Sequence, residues 1–245
     1  MIKTFCILLV LIPFAHAADI DSSTELLKKM YQQNHGKWYK TFHFVQTTER
    51  YRNDSLISTQ TWYETIVFPD LFRMDFGNPK DGNGVIYARD SSFRFRQGKL
   101  IDSRKDENEL IFFLGGMYFR SFDEVLKHFK ELNYDLSKFY KTSWNGQKIY
   151  VIGASSSDEK VNQLWIDADK LFPVRFFKYE GNGMLEGTFE NIVSVKNGLT
   201  LTKASFYFND KLVQVENYKD YVTEDPIDLR MFDPNQFGAV HWYKN

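Results

Sequence analysis

One cysteine and six prolines in 245 residues are the first features to weigh, because each scarcity closes a class of structure. A lone thiol forms no internal disulfide and no thiolate metal site. It is Cys6, inside an apolar N-terminal run and not at its end, which argues against a lipid-modified N-terminus. With few prolines and no Gly/Ser tract longer than Ala154 to Ser157, nothing reads as a linker, and no repeat recurs at a fixed period. Charge of one sign is missing too. The 31 Lys and Arg stand against 32 Asp and Glu without a basic block, so no nucleic-acid partner is expected. There is no Gly-x-Ser-x-Gly elbow and no phosphate-cradling Gly-x-x-x-x-Gly-Lys, and no two of His35, His43, His128 and His241 have the spacing of a helical metal site. Asp167 and Asp169 flank Ala168, which in a strand-turn context caps a turn before Lys170. No cofactor, metal or enzymatic activity is expected. A hydrolase whose groups converge from distant loops would leave no such signature.

What is present begins with a leader. Lys3 supplies a positive start, Phe5 to Phe14 an apolar run, and Ala15-His16-Ala17 the small residues read by a signal peptidase. A spanning helix needs about twenty apolar residues, and this run is broken by Pro13. Residues 1–17 therefore read as a signal peptide cleaved after Ala17, and 18–245 as one exported domain without a thiol.

Aromatic residues are abundant: 23 Phe and 14 Tyr. That is more apolar side-chain area than a thin two-layer fold requires, and it points to a large core or an apolar groove. Their spacing is mostly that of strands. Ser22 and Glu25 have capping-box spacing before one amphipathic helix carrying Leu26, Leu27, Met30 and Tyr31. Trp38 to Tyr51, Thr59 to Phe68, Leu71 to Phe76, Val85 to Tyr87, Phe93 to Phe95 and Leu100 to Ser103 then alternate as strands. Lys148 to Gly153 resumes the sheet, Leu164 to Lys178 alternates around Pro173, and turns at Gly181-Asn182-Gly183, Asn197-Gly198 and Asn209-Asp210 fold the rest into a meander. Ser121 caps a second helix striped by Phe122, Val125, Leu126, Phe129 and Leu132. The fold class is mainly β (α+β): one antiparallel sheet of about ten or eleven strands, with an N-terminal helix and a mid-chain helical insertion.

Two groups of residues stand out as a candidate site. Phe42, Phe44, Phe72, Met74, Phe76, Phe93 and Phe95 recur on single faces of neighbouring strands, either lining an apolar groove or forming ordinary core under a helix. Leu110, Ile111, Phe112, Phe113, Leu114, Gly115, Gly116, Met117, Tyr118 and Phe119 form the most apolar run outside the leader. It is too short to cross a bilayer and too continuous for an exposed loop, and Gly115-Gly116 at its centre lowers the cost of bending.

Two blocks resemble the LolA-like periplasmic lipoprotein carriers, a group that includes LolB and RseB. One is Thr65-Ile66-Val67-Phe68-Pro69-Asp70-Leu71-Phe72-Arg73-Met74-Asp75. The other is Leu164-Trp165-Ile166-Asp167 with Leu171-Phe172-Pro173-Val174-Arg175 and Phe189-Glu190-Asn191-Ile192, and the order ends with Phe232-Asp233-Pro234. The resemblance covers most of residues 18–245. It implies a curved, unclosed half-barrel in the periplasm, a monomer whose helix-covered apolar groove binds the acyl chains of lipids or lipoproteins, received from an inner-membrane donor and passed to an outer-membrane acceptor. It implies a lid at Leu110 to Phe119, hinged on Gly115-Gly116. Some members carry an arginine just before the proline of the first block, linked to handing the lipoprotein on; here that residue is Phe68. The resemblance also admits a lipid sensor of the RseB kind. Such sensors carry a second domain, whereas only Asp225 to Asn245 follows here, so the carrier is the first expectation.

Overall fold

The computed structural model describes residues 19–181, 183–223 and 226–241, so the expected leader and its cleavage site lie outside the described residues. Helix α1 (Ser23–Asn34) is capped by Ser22, whose Oγ accepts from the Glu25 amide at 3.2 Å. Helical spacing turns Leu26, Leu27 and Met30 to one side, and all three are fully buried. Six antiparallel strands follow: β1 (Thr41–Arg52), β2 (Ser55–Val67), β3 (Leu71–Phe76), β4 (Gly84–Ala88), β5 (Ser91–Arg96) and β6 (Lys99–Lys105). The chain then leaves the sheet for α2 (Glu109–Phe113), a 3-10 turn over Gly116–Phe119 and α3 (Phe122–Glu131). Ser121 and Glu124 cap α3 reciprocally.

The second half returns to strands: β7 (Phe139–Trp144), β8 (Gln147–Ile152), β9 (Gln163–Asp167), β10 (Phe172–Glu180), β11 (Gly183–Glu190), β12 (Val193–Val195), β13 (Gly198–Thr200), β14 (Lys203–Phe208) and β15 (Lys211–Thr223). The main sheet runs β6-β5-β4-β3-β2-β1-β15-β14-β11-β10-β9-β8-β7, antiparallel throughout and not closed into a barrel. β15 returns along β1, so the first and last long strands meet in mid-sheet.

This sheet has thirteen strands, and β12 and β13 form a separate pair, against the ten or eleven expected. The difference comes from weakly patterned strands. β7 carries Lys141, Thr142 and Ser143, so its alternation is faint, but it is joined to β8 by Asn145-Gly146, both at positive φ. An Asn-Gly pair at that position is a strong hairpin signal.

The two faces of the sheet are buried differently. Helices α1, α2 and α3 cover the inner face, where the largest cluster joins Leu26, Met30, Phe113, Val125 and Phe129 to Ile166, Phe172 and Phe176 of the strands. The outer face carries two smaller clusters. Ile149, Val151, Trp165 and Val174 make one. In the other, Val67, Ile86 and Phe95 lie under Met231, Phe232 and Phe237 of the C-terminal segment. Arg73 fastens that segment: fully buried, it pairs through two hydrogen bonds of 2.9 Å with Asp75 and donates to the carbonyls of Met231, Phe237 and Val240. Its guanidinium also lies 4.3 Å from the centre of the Phe237 ring.

Candidate ligand cavity

Strand register builds one wall of a cavity in rows. Phe42 stands opposite Ile66 and Ile66 opposite Phe72; the next inner-facing row is Phe44, Glu64 and Met74, and the third is Gln46, Trp62 and Phe76. The period of two makes this unavoidable once the hairpin turns are set. β15 extends the wall, with Tyr218 opposite Gln46 and Glu216 opposite Thr48. Phe172, Leu199, Leu201 and Phe206 close the far side, and Tyr39 and Phe68 complete the lining. The space between these side chains is about 670 Å³ with the solvent at its mouth included, and the cavity volume within it is about 100 Å³.

The apolar run forms the roof. Leu110, Ile111 and Leu114 face the cavity. Phe112 and Phe113 turn away from it onto α3 and its C-terminal end, with ring centres 5.3 Å and 5.6 Å from Phe129, and Phe113 lies 5.5 Å from Tyr134. Met117 is buried and Phe119 stacks on Phe68 at 5.6 Å. The run thus splits by helical spacing into a cavity side and a packing side. Gly115 and Gly116 have a close-packing reason to be glycine. A Cβ on Gly115 would lie 2.5 Å from Trp38 Nε1 and 2.8 Å from Phe68 Cζ, and one on Gly116 2.8 Å from the Pro69 carbonyl oxygen.

Of the seven residues picked out for the groove, Phe42, Phe44, Phe72 and Met74 line the cavity. Phe76 shares their face but packs on Trp62, 4.4 Å between ring centres, and is not part of the lining. Phe93 and Phe95 are on the other face. Ala88 pairs with Ser91, which sets Tyr87 opposite Ser92 and Ile86 opposite Phe93; the two phenylalanines therefore point outward with Ile86, and Phe95 stacks on Phe237 at 4.0 Å. A single residue of offset across that turn reverses the face.

The lining also has polar residues that were not anticipated: Glu64, Asn108, Thr200, Glu216 and Tyr218. Glu64 and Glu216 are 4% and 8% exposed. Burial pushes the Glu64 carboxyl well above the usual carboxylate range, and the like charge of Glu216 adds to this. Burial raises Glu216 as well, opposed by hydrogen bonds from Tyr218, Gln214 and Gln46. The Tyr218 hydroxyl, which donates to Glu216, is pushed far up by burial and by both carboxylates. The alternation of Trp62, Glu64 and Ile66 was the available signal: it puts one acid between two large apolar side chains on a single face. Among the described residues, no group of three or more His, Cys, Asp or Glu could hold a metal ion, and no helix is long and apolar enough to cross a membrane.

No family model matches the sequence, and no curated protein does. Solved structures match throughout the fold. A DUF1329 family protein from Desulfovibrio piger superposes with a TM-score of 0.60 at 12% identity, over 86% of this chain and 95% of that one. The LolA superfamily protein NE2245 from Nitrosomonas europaea gives 0.58 at 11% identity, over 87% and 98%. A domain from Vibrio parahaemolyticus described as an outer membrane lipoprotein-sorting protein gives 0.58 at 14%, over 88% and 97%. An open antiparallel sheet with its helices on one face, spanning nearly the full length of these proteins, is the LolA-like fold, and this chain has it.

Proposed function

We propose that the protein is a periplasmic carrier that holds an acyl chain of a lipid or lipoprotein in this cavity, in outer-membrane lipoprotein sorting. The observation that carries the reading is the cavity: Phe42, Phe44, Phe72 and Met74 on one wall face Leu110, Ile111 and Leu114 of a separate roof, around about 670 Å³. The cavity volume within that space is about 100 Å³, below the ~300–1,000 Å³ of small-ligand sites. An acyl chain therefore enters only when the roof moves, with Gly115-Gly116 as its hinge. The lipoprotein-sorting description of the Vibrio domain supports the same role. In this reading residues 1–17 direct export, 18–245 act in the periplasm, and the cargo passes from an inner-membrane donor to an outer-membrane acceptor.

The test compares the two faces with an uncharged fluorescent long-chain alcohol as probe. Truncating Met74, which faces open space, to Ala is expected to weaken probe binding several-fold with a small loss of stability. Phe95→Ala, in the packed outer cluster, is expected to cost roughly 3–5 kcal/mol and to leave affinity unchanged. A probe that fails to bind, or binds with affinity indifferent to Met74, removes the carrier reading.

A further inference from the structure

The cavity is not uniformly apolar. Its first row, Phe42, Ile66 and Phe72, has no polar side-chain atom; the second contains Glu64, beyond it come Tyr218 and Glu216, and Asn108 and Thr200 add polar atoms elsewhere in the lining. Glu216 is supplied with donors: Gln214 Nε2 at 2.5 Å and the Tyr218 hydroxyl. Glu64 is not. No group among the described residues hydrogen-bonds its carboxyl, and the charge that bears on it is Glu216, another acid. Gln46, behind the lining, donates to Thr48 Oγ1 at 2.8 Å and adds to the donors of Glu216. Arg50 acts on Glu216 from β1, and its guanidinium lies over the Trp62 ring, 5.6 Å from the ring centre.

The cavity therefore holds two acids, one of which, Glu64, has no donor. Buried polar groups are nearly always satisfied, and each exception calls for an explanation. A carboxylate at the end of an incoming chain would bring a third acid to the pair. A hydroxyl brings one donor and no charge. An ammonium brings three donors, no acceptor and the opposite charge.

We propose that the cavity takes an amphiphile whose alkyl or acyl chain ends in a primary ammonium group without an adjoining phosphate, the chain lying along Phe42, Phe44 and Phe72 and the ammonium received by Glu64 and Glu216. This rests on the carrier reading and names its ligand class.

Displacement of the long-chain alcohol probe at pH 7 tests it, with dodecylamine, dodecanol and dodecanoate as competitors below their micelle concentrations. Dodecylamine is expected to compete at about one tenth of the dodecanol concentration, and dodecanoate no better than dodecanol. In Glu64→Gln the amine's advantage should shrink to within about twofold, and Glu216→Gln should reduce it too; melting curves separate folding from affinity, and two variants guard against one that misfolds. Lysophosphatidylethanolamine, whose ammonium adjoins a phosphate, should fall with dodecanol; if it matches dodecylamine, the assignment to a phosphate-free amine is wrong. If amine and alcohol compete alike, or the preference survives both substitutions, the inference is wrong while the carrier reading stands. A probe that never binds removes both.

Discussion

Two buried ionisable side chains stand on adjacent strands and are treated in opposite ways. Arg73 points to the outer face of β3, where a carboxylate, three carbonyls and an aromatic ring meet its guanidinium. Glu64 points to the inner face of β2, opposite Met74, and meets an apolar cavity and a second acid. A buried ion whose hydrogen bonds are all made fixes one arrangement of the chain; one left without donors costs free energy in the same fold. The contrast separates the labour of the two faces. The outer group closes a structure that needs nothing further, and the inner one leaves a carboxyl without a donor at the wall of a cavity.

The largest expected effect breaks the outer half of the comparison. Arg73→Met leaves Asp75 buried without its cation and three carbonyls without a donor, and breaking a buried pair from one side costs about 3–5 kcal/mol. Urea denaturation should show that loss, and hydrogen exchange should rise over residues 226–241. A loss below about 1 kcal/mol, in the range of an exposed pair, would mean that the segment is held by Met231, Phe232 and Phe237 alone.

The same contrast explains what could be read from the sequence. The helix starts at Ser22 and Ser121, the meander and the apolar run are local signals, set by capping spacing and alternation, and the structure keeps them. The faces of the strands were harder. Phe42, Phe44, Phe72 and Met74 lie on strands whose alternation relates them directly, whereas Phe93 and Phe95 lie beyond the tight turn at Arg89-Asp90, and their face depends on a pairing no composition reveals. Arg73 and Glu64 were illegible for a related reason. Their partners, at positions 231 to 241 and 216, are over 150 residues away along the chain, and only the return of β15 onto β1 brings the acids together.

A middle-sized effect sharpens the inner half. The folded-state pKa of Glu64 is raised above its ordinary value of 4.5, first by burial and then by Glu216. The folded protein thus holds this proton more tightly than the unfolded chain, so the group does not penalise folding below about 4.5 and penalises it increasingly as pH rises towards the raised value. Glu216 has the same sign. Glu64→Gln removes the ionisation, so its stability relative to the original protein should rise with pH, from a small difference near pH 4 to a clear gain at pH 8. Urea midpoints across that range measure it; a constant difference at every pH would show that Glu64 ionises no less easily than an exposed acid.

The smallest expected effect concerns how the roof is held. Glu109 opens α2 and its carboxylate lies 3.1 Å from Lys178 Nζ on β10, while the other end of the run is seated at Gly115 against Trp38 and Phe68. The two side chains are 11% and 26% exposed, so solvent screens the pair only in part and its contribution is taken at the top of the range for exposed pairs, about 1 kcal/mol. Lys178→Gln should therefore lower the melting temperature by only a few degrees. The whole of that small change falls on one short segment, however, and an opening equilibrium shifted by up to 1 kcal/mol changes local exchange by up to about fivefold. Faster hydrogen exchange over residues 109–114, with α1 and the Arg73 region unaltered, is the expected signature, together with faster entry of the alcohol probe. Exchange over the roof that stays at its original rate would place the hold elsewhere, in the packing of Phe112 and Phe113 on Phe129, and would make the inner face as rigid as the outer one.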